Sequence, residues 1–270
     1  RRIEYKEKAR QGEEKMKIVM TAKSPIVHGE FSDGIDLGNL MNFRHIPMIS
    51  NGELYRVPAI SGNAIRGVLR RLLARELVDR YALKDAMGKS FDKFYIAIAN
   101  GGNLDKSMDV DVDTNKLRQM RAGFPMLSVL GASLYKFMIP GMCNIGFAIP
   151  HCAELGTGNV RINDLTADVG LTRHIDCTVA DPGEAKPMPY TVETVVAGAE
   201  FDVTITFAPQ ATDIERSCIN HGLNLLHYVG GKHSVGFGEV DICGIEDDSL
   251  YTAWLEDDHT ETLIKFAGEL

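Results

Sequence analysis

The sequence lacks the features that mark a membrane protein or a secreted one. No apolar run comes near the roughly 18–20 residues that a membrane-spanning helix needs, and no secretory signal opens the chain. The five cysteines are odd in number and contain no C-x-x-C pair, which argues against a disulfide or zinc framework. We therefore expect reduced, mostly buried thiols and a cytoplasmic location.

The sequence also lacks a net positive charge, but most of its excess negative charge lies in residues 246–270. Lys and Arg number 29 against 37 Asp and Glu, a formal net charge of −8. Residues 246–270 contain eight acids and one lysine, so residues 1–245 are nearly neutral, with 28 basic and 29 acidic side chains. A local basic groove is compatible with this distribution. We expect residues 246–270 to form an acidic C-terminal segment, either a solvated helix around Trp254 or a contact to the next subunit.

A strong helix signal begins at Ser61, a good N-cap, and predicts a helix to about Leu83. Apolar residues at helical spacing would face the core: Ile65, Leu69, Leu72 and Leu77. Arg66 and Arg70 lie four residues apart on another face. Five arginines here meet a single acid, Glu76; they are Arg56, Arg66, Arg70, Arg71 and Arg75. A solvated face and a phosphate site near the helix start are both compatible with this pattern.

A glycine-rich stretch at 230–240 contains four glycines, which indicates positive φ angles or a close approach of another group to the backbone. A P-loop needs Lys followed directly by Ser or Thr and then a helix, whereas His233 intervenes here and a strand follows. Gly236 and Gly238 lack the third glycine of a dinucleotide-binding turn. We therefore predict neither nucleotide hydrolysis nor a bound cofactor.

Two other groups of ionisable side chains do not indicate a metal site or a catalytic site. The acidic stretch lacks the central Gly and closing Glu of a calcium loop; its members are Asp105, Asp109, Asp111 and Asp113. We interpret it as a solvated loop and predict no metal site. His151 and Cys152 are adjacent, and neighbouring residues of a strand point to opposite faces, which argues against a catalytic pair.

The order of the elements predicts an α+β fold. Residues 1–15 are a polar extension, native or a cloning remnant, and a domain with large insertions follows over residues 16–245. Its segments are a strand at 16–26, a loop at about 28–56, the helix from Ser61, an insertion at 84–125, a strand at 141–150, an excursion at 153–189, two strands around a turn at 190–207, a helix at 212–229, the glycine-rich stretch and a strand at 240–245. Gly222 lies on the apolar face of the helix at 212–229, where it would allow close packing. Without the insertions this is close to β-α-β-β-α-β, the ferredoxin-like arrangement of RNA-recognition (RRM-like) domains. An RNA-recognition aromatic motif is absent, so base stacking on the sheet is not predicted.

Five motifs, each weak alone, occur in order from Met16 to Val240. They are a first strand ending Ser24-Pro25-Ile26, a helix start Val57-Pro58-Ala59-Ile60-Ser61-Gly62-Asn63-Ala64-Ile65-Arg66-Gly67, Leu130-Gly131 before a strand from Gly141, Glu193 with Ala197-Gly198-Ala199-Glu200-Phe201, and the glycine-rich stretch. In this order and spacing the sequence resembles the RAMP superfamily, and within it the backbone subunits of CRISPR RNA-guided effector complexes.

The resemblance implies a non-catalytic subunit that binds guide RNA (crRNA) and stacks in many copies into a helical filament with other CRISPR effector subunits. Target nucleic acid would pair with the guide, so the protein would recognise backbone and shape. A thumb-like hairpin within 160–189 would wedge between bases. The implied RNA contacts are Arg44, Ser61, Asn63, Arg66, Arg70, Arg173, His174, Lys232, His233, Ser234 and Gly236. Arginines suit phosphate oxygens, and glycines let main-chain N–H groups approach them.

One branch of the family, in type III complexes, cleaves target RNA with an aspartate in the loop after the first strand. The matching position falls near Arg44 or His45, while Asp33 and Asp36 lie further upstream. This departure argues against cleavage. Because Asp33 and Asp36 lie in the same loop, a metal-dependent endonuclease acting through one of them is the alternative hypothesis. The helix start followed by Arg70-Arg71 looks more like the type IV backbone subunit.

Overall fold

The computed structural model describes residues 14–29, 40–104, 114–135, 137–173 and 188–268. Helices and antiparallel sheets both contribute to it, so the predicted α+β class is confirmed. Its strands are β1 Glu14–Ala22, β2 Leu40–Met41, β3 His45–Ser50, β4 Glu53–Pro58, β5 Gly102–Leu104, β6 Ala132–Tyr135, β7 Phe137–Ile139, β8 Cys143–Ile145, β9 Ile149–Pro150, β10 Thr166–Arg173, β11 Met188–Val195, β12 Glu200–Phe207 and β13 Val240–Cys243. Its helices are α1 Gly62–Arg80, α2 Leu83–Met87, α3 Phe91–Asn100, α4 Thr114–Gly123, α5 Pro125–Leu130, α6 Asp213–Asn224, α7 Ser249–Glu256 and α8 Thr260–Gly268.

The central sheet has the strand order β13-β1-β12-β8, and every neighbouring pair is antiparallel. Alternate residues of β1, from Met16 through Ile18 to Met20, are buried, because successive side chains of a strand point to opposite faces. In the chain, α1 lies between β1 and β8, and α6 lies between β12 and β13. The predicted close packing at Gly222 is confirmed: a Cβ there would lie 3.3 Å from Cδ1 of Leu73 and 3.4 Å from Cδ2 of Leu69.

The first strand is shorter than predicted, since β1 ends at Ala22 and not at Ile26. Ala22 is the last residue of β1 that pairs with β13. The chain then turns away from the sheet, and Ile26 forms an isolated bridge with Val195 at the end of β11. The segment after β1 therefore joins the central sheet to the strands of the excursion.

The region predicted as a loop, about 28–56, contains a β-hairpin. Its strands β3 and β4 pair from His45 opposite Pro58 to Ser50 opposite Glu53. Asn51 and Gly52 form the two-residue turn with φ angles of 51° and 85°. Asn-Gly is a preferred sequence for such a turn, so the signal is present in the sequence and the prediction of a loop was wrong here.

The excursion at 153–189 contains β10 and the first residues of β11. These two strands pair over eight residues, from Thr166 opposite Val195 to Arg173 opposite Met188, and residues 174–187 lie outside the described part of the chain. The two strands predicted around a turn at 190–207 are confirmed, but they do not pair with each other. β11 and β12 are both strands, but β11 pairs with β10 and β2 whereas β12 belongs to the central sheet. The turn between them carries the chain from one sheet to the other.

The helix predicted at 212–229 ends at Asn224. Thr212 and Glu215 form a capping box at its start, which fixes the first turn. After Leu225, backbone hydrogen bonds from Val229 to Gly238 and from Val240 to His227 draw the chain into the last strand. These tertiary bonds replace the helical ones that the periodicity predicted.

The acidic C-terminal segment contains a helix around Trp254, α7, but this helix is packed onto the rest of the protein and is not solvated on all sides. Tyr251 and Leu255 of α7 and Leu263 of α8 are buried in the core. Phe266 stacks on Phe124 with ring centroids 5.6 Å apart. Glu256 of α7 and Glu261 of α8 are exposed on the outer faces of these helices, and the other described acids of the segment lie in the loops before and between them.

Of the described cysteines, three are buried and one is exposed, and all four are free: Cys143, Cys152 and Cys218 are buried, and Cys243 is exposed. Cys177 lies outside the described residues. Within the described ranges, no helix combines the length and the apolar character needed to cross a membrane.

Candidate nucleic-acid interface

The first helix starts directly against the central sheet. Ser61 is its N-cap, and Ser61 Oγ accepts a hydrogen bond from the backbone N–H of Ala64 at 3.2 Å. Gly62 follows, and a Cβ at this position would lie 1.9 Å from the carbonyl oxygen of Ile145 in β8. Only glycine allows this approach, so Gly62 sets the point at which α1 meets the sheet.

An open cleft of about 740 Å³, here the main cleft, runs along the first turns of α1. Its opposite wall is formed by residues 99–102, 130–133 and 138–141, with Gly230 at one end. Arg66, Arg70 and Arg71 line the cleft, and its lining within the described part of the chain includes no Asp or Glu. A cleft with three cations and no carboxylate is suited to an anionic ligand.

Arg66 and Arg70 converge on one backbone oxygen at the base of the main cleft. Nη2 of Arg70 donates to the carbonyl oxygen of Leu130 at 2.8 Å, and Nη2 of Arg66 donates to the same oxygen. Arg70 is only 8% exposed, and its Nη1 is buried with no hydrogen-bond partner among the described residues. One carbonyl dipole offsets only part of two guanidinium charges, so positive charge remains at the base of the cleft for an anion to compensate.

The predicted face of Arg70 therefore needs correction. Helical spacing placed Arg70 away from the core, but residues 99–102 and Leu130 cover that side of α1. Burial, together with the neighbouring charge of Arg66, lowers the pKa of Arg70 to about 10, which leaves the guanidinium charged at neutral pH. Burial also raises the pKa of the nearby Cys143 thiol to about 11, against the opposing effect of the arginines. The thiol stays protonated and supplies no counter-charge.

Two glycines make room for these arginines. A Cβ at Gly141 would lie 2.4 Å from Nη2 of Arg66. A Cβ at Gly101, where φ is +81°, would lie 3.3 Å from Cζ of Arg70. Both guanidiniums thus lie against bare backbone, which is how they reach the Leu130 carbonyl together.

His28, in the segment after β1, and Arg44, directly before β3, lie beside the start of α1. His28 Nε2 accepts a hydrogen bond from the backbone N–H of Ser61 at 3.2 Å, so this nitrogen is unprotonated. Burial, with the charge of Arg44, lowers the pKa of His28, which keeps the ring neutral. Arg44 is half-buried, and its Nε has no hydrogen-bond partner in the described part of the chain. Arg44 thus adds positive charge beside the main cleft, which His28 lines.

A second depression of about 420 Å³, here the side cleft, adjoins the main cleft and shares His28 and Gly230 with it. Lys232 lines the side cleft. Its Nζ donates to the hydroxyl of Tyr190 at 3.0 Å and lies 4.6 Å from the centre of that ring. Because Tyr190 belongs to β11, this contact ties the glycine-rich stretch to the strands of the excursion.

The glycine-rich stretch is held against the segment that follows β1. Gly231 N–H donates to the carbonyl of Val27 at 2.9 Å, and Gly238 N–H donates to the carbonyl of Pro25 at 2.9 Å. A Cβ at Gly230 would lie 2.2 Å from the Val27 oxygen. These backbone contacts by themselves require glycine, whether or not a ligand also approaches the stretch. Gly236, with φ +89° and open space around it, is different because no described residue crowds it.

The structure brings together part of the predicted set of RNA contacts. Asn63, Arg66 and Arg70 line the main cleft. Ser61 does not line it, because its hydroxyl caps α1. Lys232 lines the side cleft. His233 begins a 3₁₀ turn, His233–Val235, and lines a third cleft together with Arg71, Arg75 and Tyr228. The exposed residues Ser234 and Gly236 follow in the same loop.

The remaining predicted residues lie at or beyond the limits of the described chain. Arg173 ends β10, and its backbone position alone is described. His174, Asp33 and Asp36 lie outside the described residues. Among the described residues, no group of three or more His, Cys, Asp and Glu side chains could hold a metal ion.

Sequence reasoning missed two kinds of residue in this interface. Arg71 was part of the arginine run but was not selected, and it lines the main cleft. His28 and the glycines at 101 and 141 were not selected either. The arginine run carries a visible signal for Arg71. The glycines carry none, because their partners lie 31 and 75 positions away in the sequence.

Comparison of structures found similar proteins, whereas comparison of sequences found none. No protein-family model and no curated protein matches this sequence. A chain of a Type IV-B CRISPR complex superposes with a TM-score of 0.60 at 20% identity, over 85% of this chain and 90% of that chain. A chain of the Type III-B Cmr-beta complex bound to cognate target RNA gives a TM-score of 0.48 at 14% identity, over 87% of this chain and 60% of that chain. The predicted resemblance is confirmed at the level of the fold: this chain has the fold of a subunit of a CRISPR complex.

Proposed function

We propose that this protein is a non-catalytic subunit of a CRISPR effector complex that binds the sugar-phosphate backbone of the guide RNA in the main cleft. Copies of the chain would stack along the guide, as backbone subunits do in the family that the sequence resembles. Sequence would then be read by pairing between guide and target, while the protein contacts backbone and shape.

One observation carries the proposal. Arg66 and Arg70 converge on the Leu130 carbonyl, and Nη1 of Arg70 is buried with no partner among the described residues. Phosphodiester oxygens supply the negative charge that this arrangement lacks. The α1 N-terminus adds a favourable dipole beside the exposed Asn63.

The sheet supports the same proposal. We assign the central sheet with α1 and α6 to a ferredoxin-like core, because its antiparallel order β13-β1-β12-β8 is that of a fourth, first, third and second strand. In this assignment β10 and β11 form the base of the thumb-like hairpin. The Lys232–Tyr190 contact would orient that hairpin relative to the cleft.

The binding test uses a fluorescently labelled single-stranded RNA and the full chain, with anisotropy measured over a range of salt concentrations. We expect the double variant Arg66→Gln with Arg71→Gln to weaken binding. It should also reduce the slope of log K against log[salt] by about 0.7 for each phosphate that the protein no longer neutralises. Both residues line the main cleft. Arg71 is exposed, and the Leu130 carbonyl keeps its hydrogen bond from Arg70 when Arg66 is replaced.

Arg80→Gln is the matched control, because Arg80 lies at the other end of the same helix and pairs with Glu76 at 3.5 Å. Its RNA affinity should equal that of the wild type. Unchanged affinity and an unchanged salt slope in the double variant would refute the assignment of the main cleft.

The proposal of a non-catalytic subunit is tested separately. The complex assembled on its guide is incubated with matched target RNA and Mg²⁺, and the RNA is analysed on a denaturing gel. We expect intact target. Fragments at regular spacing that disappear in Asp33→Asn or Asp36→Asn would establish the alternative, a type III-like endonuclease.

A further inference from the structure

Two aromatic rings at the outer edge of the glycine-rich stretch have no role in the core. Tyr228 is 44% exposed, and its ring lies 5.5 Å from the ring of His233, with 35° between their planes. His233 is exposed as well. The backbone pairing of Val229 with Gly238 folds the stretch back on itself and brings the two rings together.

The local backbone is built to hold the imidazole in this position. Lys232 adopts a left-handed conformation with φ +61° and starts the turn that carries His233. Gly238 has φ +86°, and a Cβ there would lie 3.1 Å from Cδ2 of His233 and 2.2 Å from the Val229 oxygen. The ring of His233 thus lies over bare glycine, and a side chain at 238 would displace it.

The opposite wall of this third cleft, about 360 Å³ in volume, is cationic. Arg71 and Arg75 lie one helical turn apart on α1, and both are exposed. Neither forms an ion pair within the described chain, and no Asp or Glu is found among the described lining residues. Val68, Leu72 and Leu225 add apolar surface to the lining, and the exposed His227 lines the cleft as well. We call this arrangement of two rings and two arginines the aromatic shelf.

The aromatic shelf is continuous with the main cleft, because Val68 and Arg71 line both. A single RNA strand whose phosphates lie in the main cleft can therefore place a neighbouring nucleotide on the shelf. Aromatic faces flanked by guanidinium groups are the surface on which unpaired bases stack. A free anion would satisfy the arginines but would leave the exposed faces of the Tyr228 and His233 rings without a contact to the ligand.

We infer that the aromatic shelf stacks one unpaired base of the RNA bound in the main cleft. The inference rests on the proposed function and extends it, since it assigns a base contact in addition to the phosphate contacts. The contact would be tolerant of sequence, because each base has an aromatic face. It also lies off the central sheet, for which the sequence carries no RNA-recognition aromatic motif.

The test compares two labelled RNA oligomers of equal length and charge, one with ordinary bases and one with abasic nucleotides. We expect Tyr228→Ala to weaken binding of the first oligomer about tenfold. Its binding to the abasic oligomer and its salt slope should equal those of the wild type. Tyr228→Phe keeps the ring and should bind both oligomers as the wild type does. His233→Ala provides a second, independent variant with the same expected pattern.

The outcomes separate the inference from the proposed function. Equal weakening toward both oligomers, or no weakening in Tyr228→Ala and His233→Ala, overturns the aromatic shelf while RNA binding stands. Loss of binding to both oligomers in Arg66→Gln, with Tyr228→Ala selective for the base-containing one, supports both assignments. A wild-type protein that binds neither oligomer overturns the proposed function and the inference together.

Discussion

At the scale of single residues, Arg70 is the side chain whose surroundings are least explained by packing. It is only 8% exposed, yet its hydrogen-bond partner among the described residues is a single carbonyl, that of Leu130. Burying a charge beside a second positive charge is unfavourable unless an anion compensates. The lowered pKa of Arg70, about 10, reflects that burial first and the charge of Arg66 second. The residue is therefore better suited to binding than to stability.

We predict that Arg70→Met separates the two properties. The free energy of unfolding should stay the same or rise by about 1 kcal/mol, because the variant no longer buries a charge and Leu130 keeps the hydrogen bond from Arg66. RNA affinity should fall about tenfold, since the variant removes one positive charge from the lining of the main cleft. Urea unfolding and fluorescence anisotropy measure the two effects. A large drop in stability with unchanged affinity would mean that Arg70 is structural.

Some residue roles could be predicted from the sequence and others could not. Ser61 was predicted as an N-cap and Gly222 as a packing glycine, and both are confirmed. Each depends on local periodicity or on capping chemistry within one turn. The burial of Arg70 depends on Leu130, 60 positions away, and helical spacing carries no information about that segment.

At the scale of elements, the two glycines of α1 differ in how closely other atoms approach them. Gly62, at its start, is in contact with the backbone of β8, whereas Gly67, in its interior, has only ordinary space around it. A Cβ at Gly67 would lie 3.4 Å from Nη1 of Arg71, the mobile end of an exposed side chain. The same substitution should therefore have opposite signs at the two positions.

We predict that Gly62→Ala lowers the free energy of unfolding by at least about 2 kcal/mol, because its Cβ would lie 1.9 Å from the Ile145 oxygen and α1 must shift. Gly67→Ala should raise it by about 0.5–1 kcal/mol, because alanine loses less backbone entropy in a helix interior. Chemical denaturation of both variants, with helical content checked by circular dichroism, measures this contrast. Similar effects at both positions would disprove the contact of Gly62 with β8.

The β3–β4 hairpin and the end of α6 show where element prediction failed. The Asn51-Gly52 turn is a recognisable signal, but its strands do not alternate cleanly: Ile49 and Leu54 are 76% and 69% exposed. In α6 the apolar periodicity continues to Val229, but the helix stops at Asn224 because the following residues bond to the last strand. Periodicity measures burial, and burial can be satisfied without a helix.

At the scale of the whole molecule, His221 joins the acidic C-terminal segment to α1. Its Nε2 lies 2.7 Å from Oε2 of Glu76, and its Nδ1 lies 2.9 Å from Oδ2 of Asp248. The hydrogen bond to Glu76 raises the pKa of His221 against the effect of burial, and Asp248 adds to it. Burial alone would raise the carboxyl pKa values, but the hydrogen bonds and charge of His221, with Arg80 at Glu76 and Asn224 at Asp248, lower them.

The pH dependence of stability follows from these directions. The raised pKa of His221 stabilises the fold fully below about pH 6.5, and this stabilisation disappears as the pH rises through the folded pKa. The lowered pKa values of Glu76 and Asp248 stabilise the fold above about pH 4.5, and this stabilisation disappears as the pH falls through their folded values. We therefore expect His221→Gln to cost about 1–2 kcal/mol at pH 5.5 and less at pH 8.5. Urea unfolding at both pH values measures this, and an equal cost at both would exclude a charged His221.

The sequence by itself determined the elements whose signals are local. The alternation of β1, the cap of α1 and the turn-forming glycines follow from steric and hydrogen-bonding preferences of neighbouring residues. The order of these elements was enough to predict an α+β fold and a resemblance that the structure confirms at the level of the fold.

Only the tertiary structure decided which side chains meet. It separated β11 from β12 into different sheets, packed the acidic C-terminal helices onto the core and gathered Arg66, Arg70 and Arg71 in one cleft whose described lining has no carboxylate. It also brought Tyr228 and His233 against the exposed arginines of α1. The physical reason is the same in each case: burial, charge compensation and ring contacts depend on segments tens of residues apart, which no local pattern records.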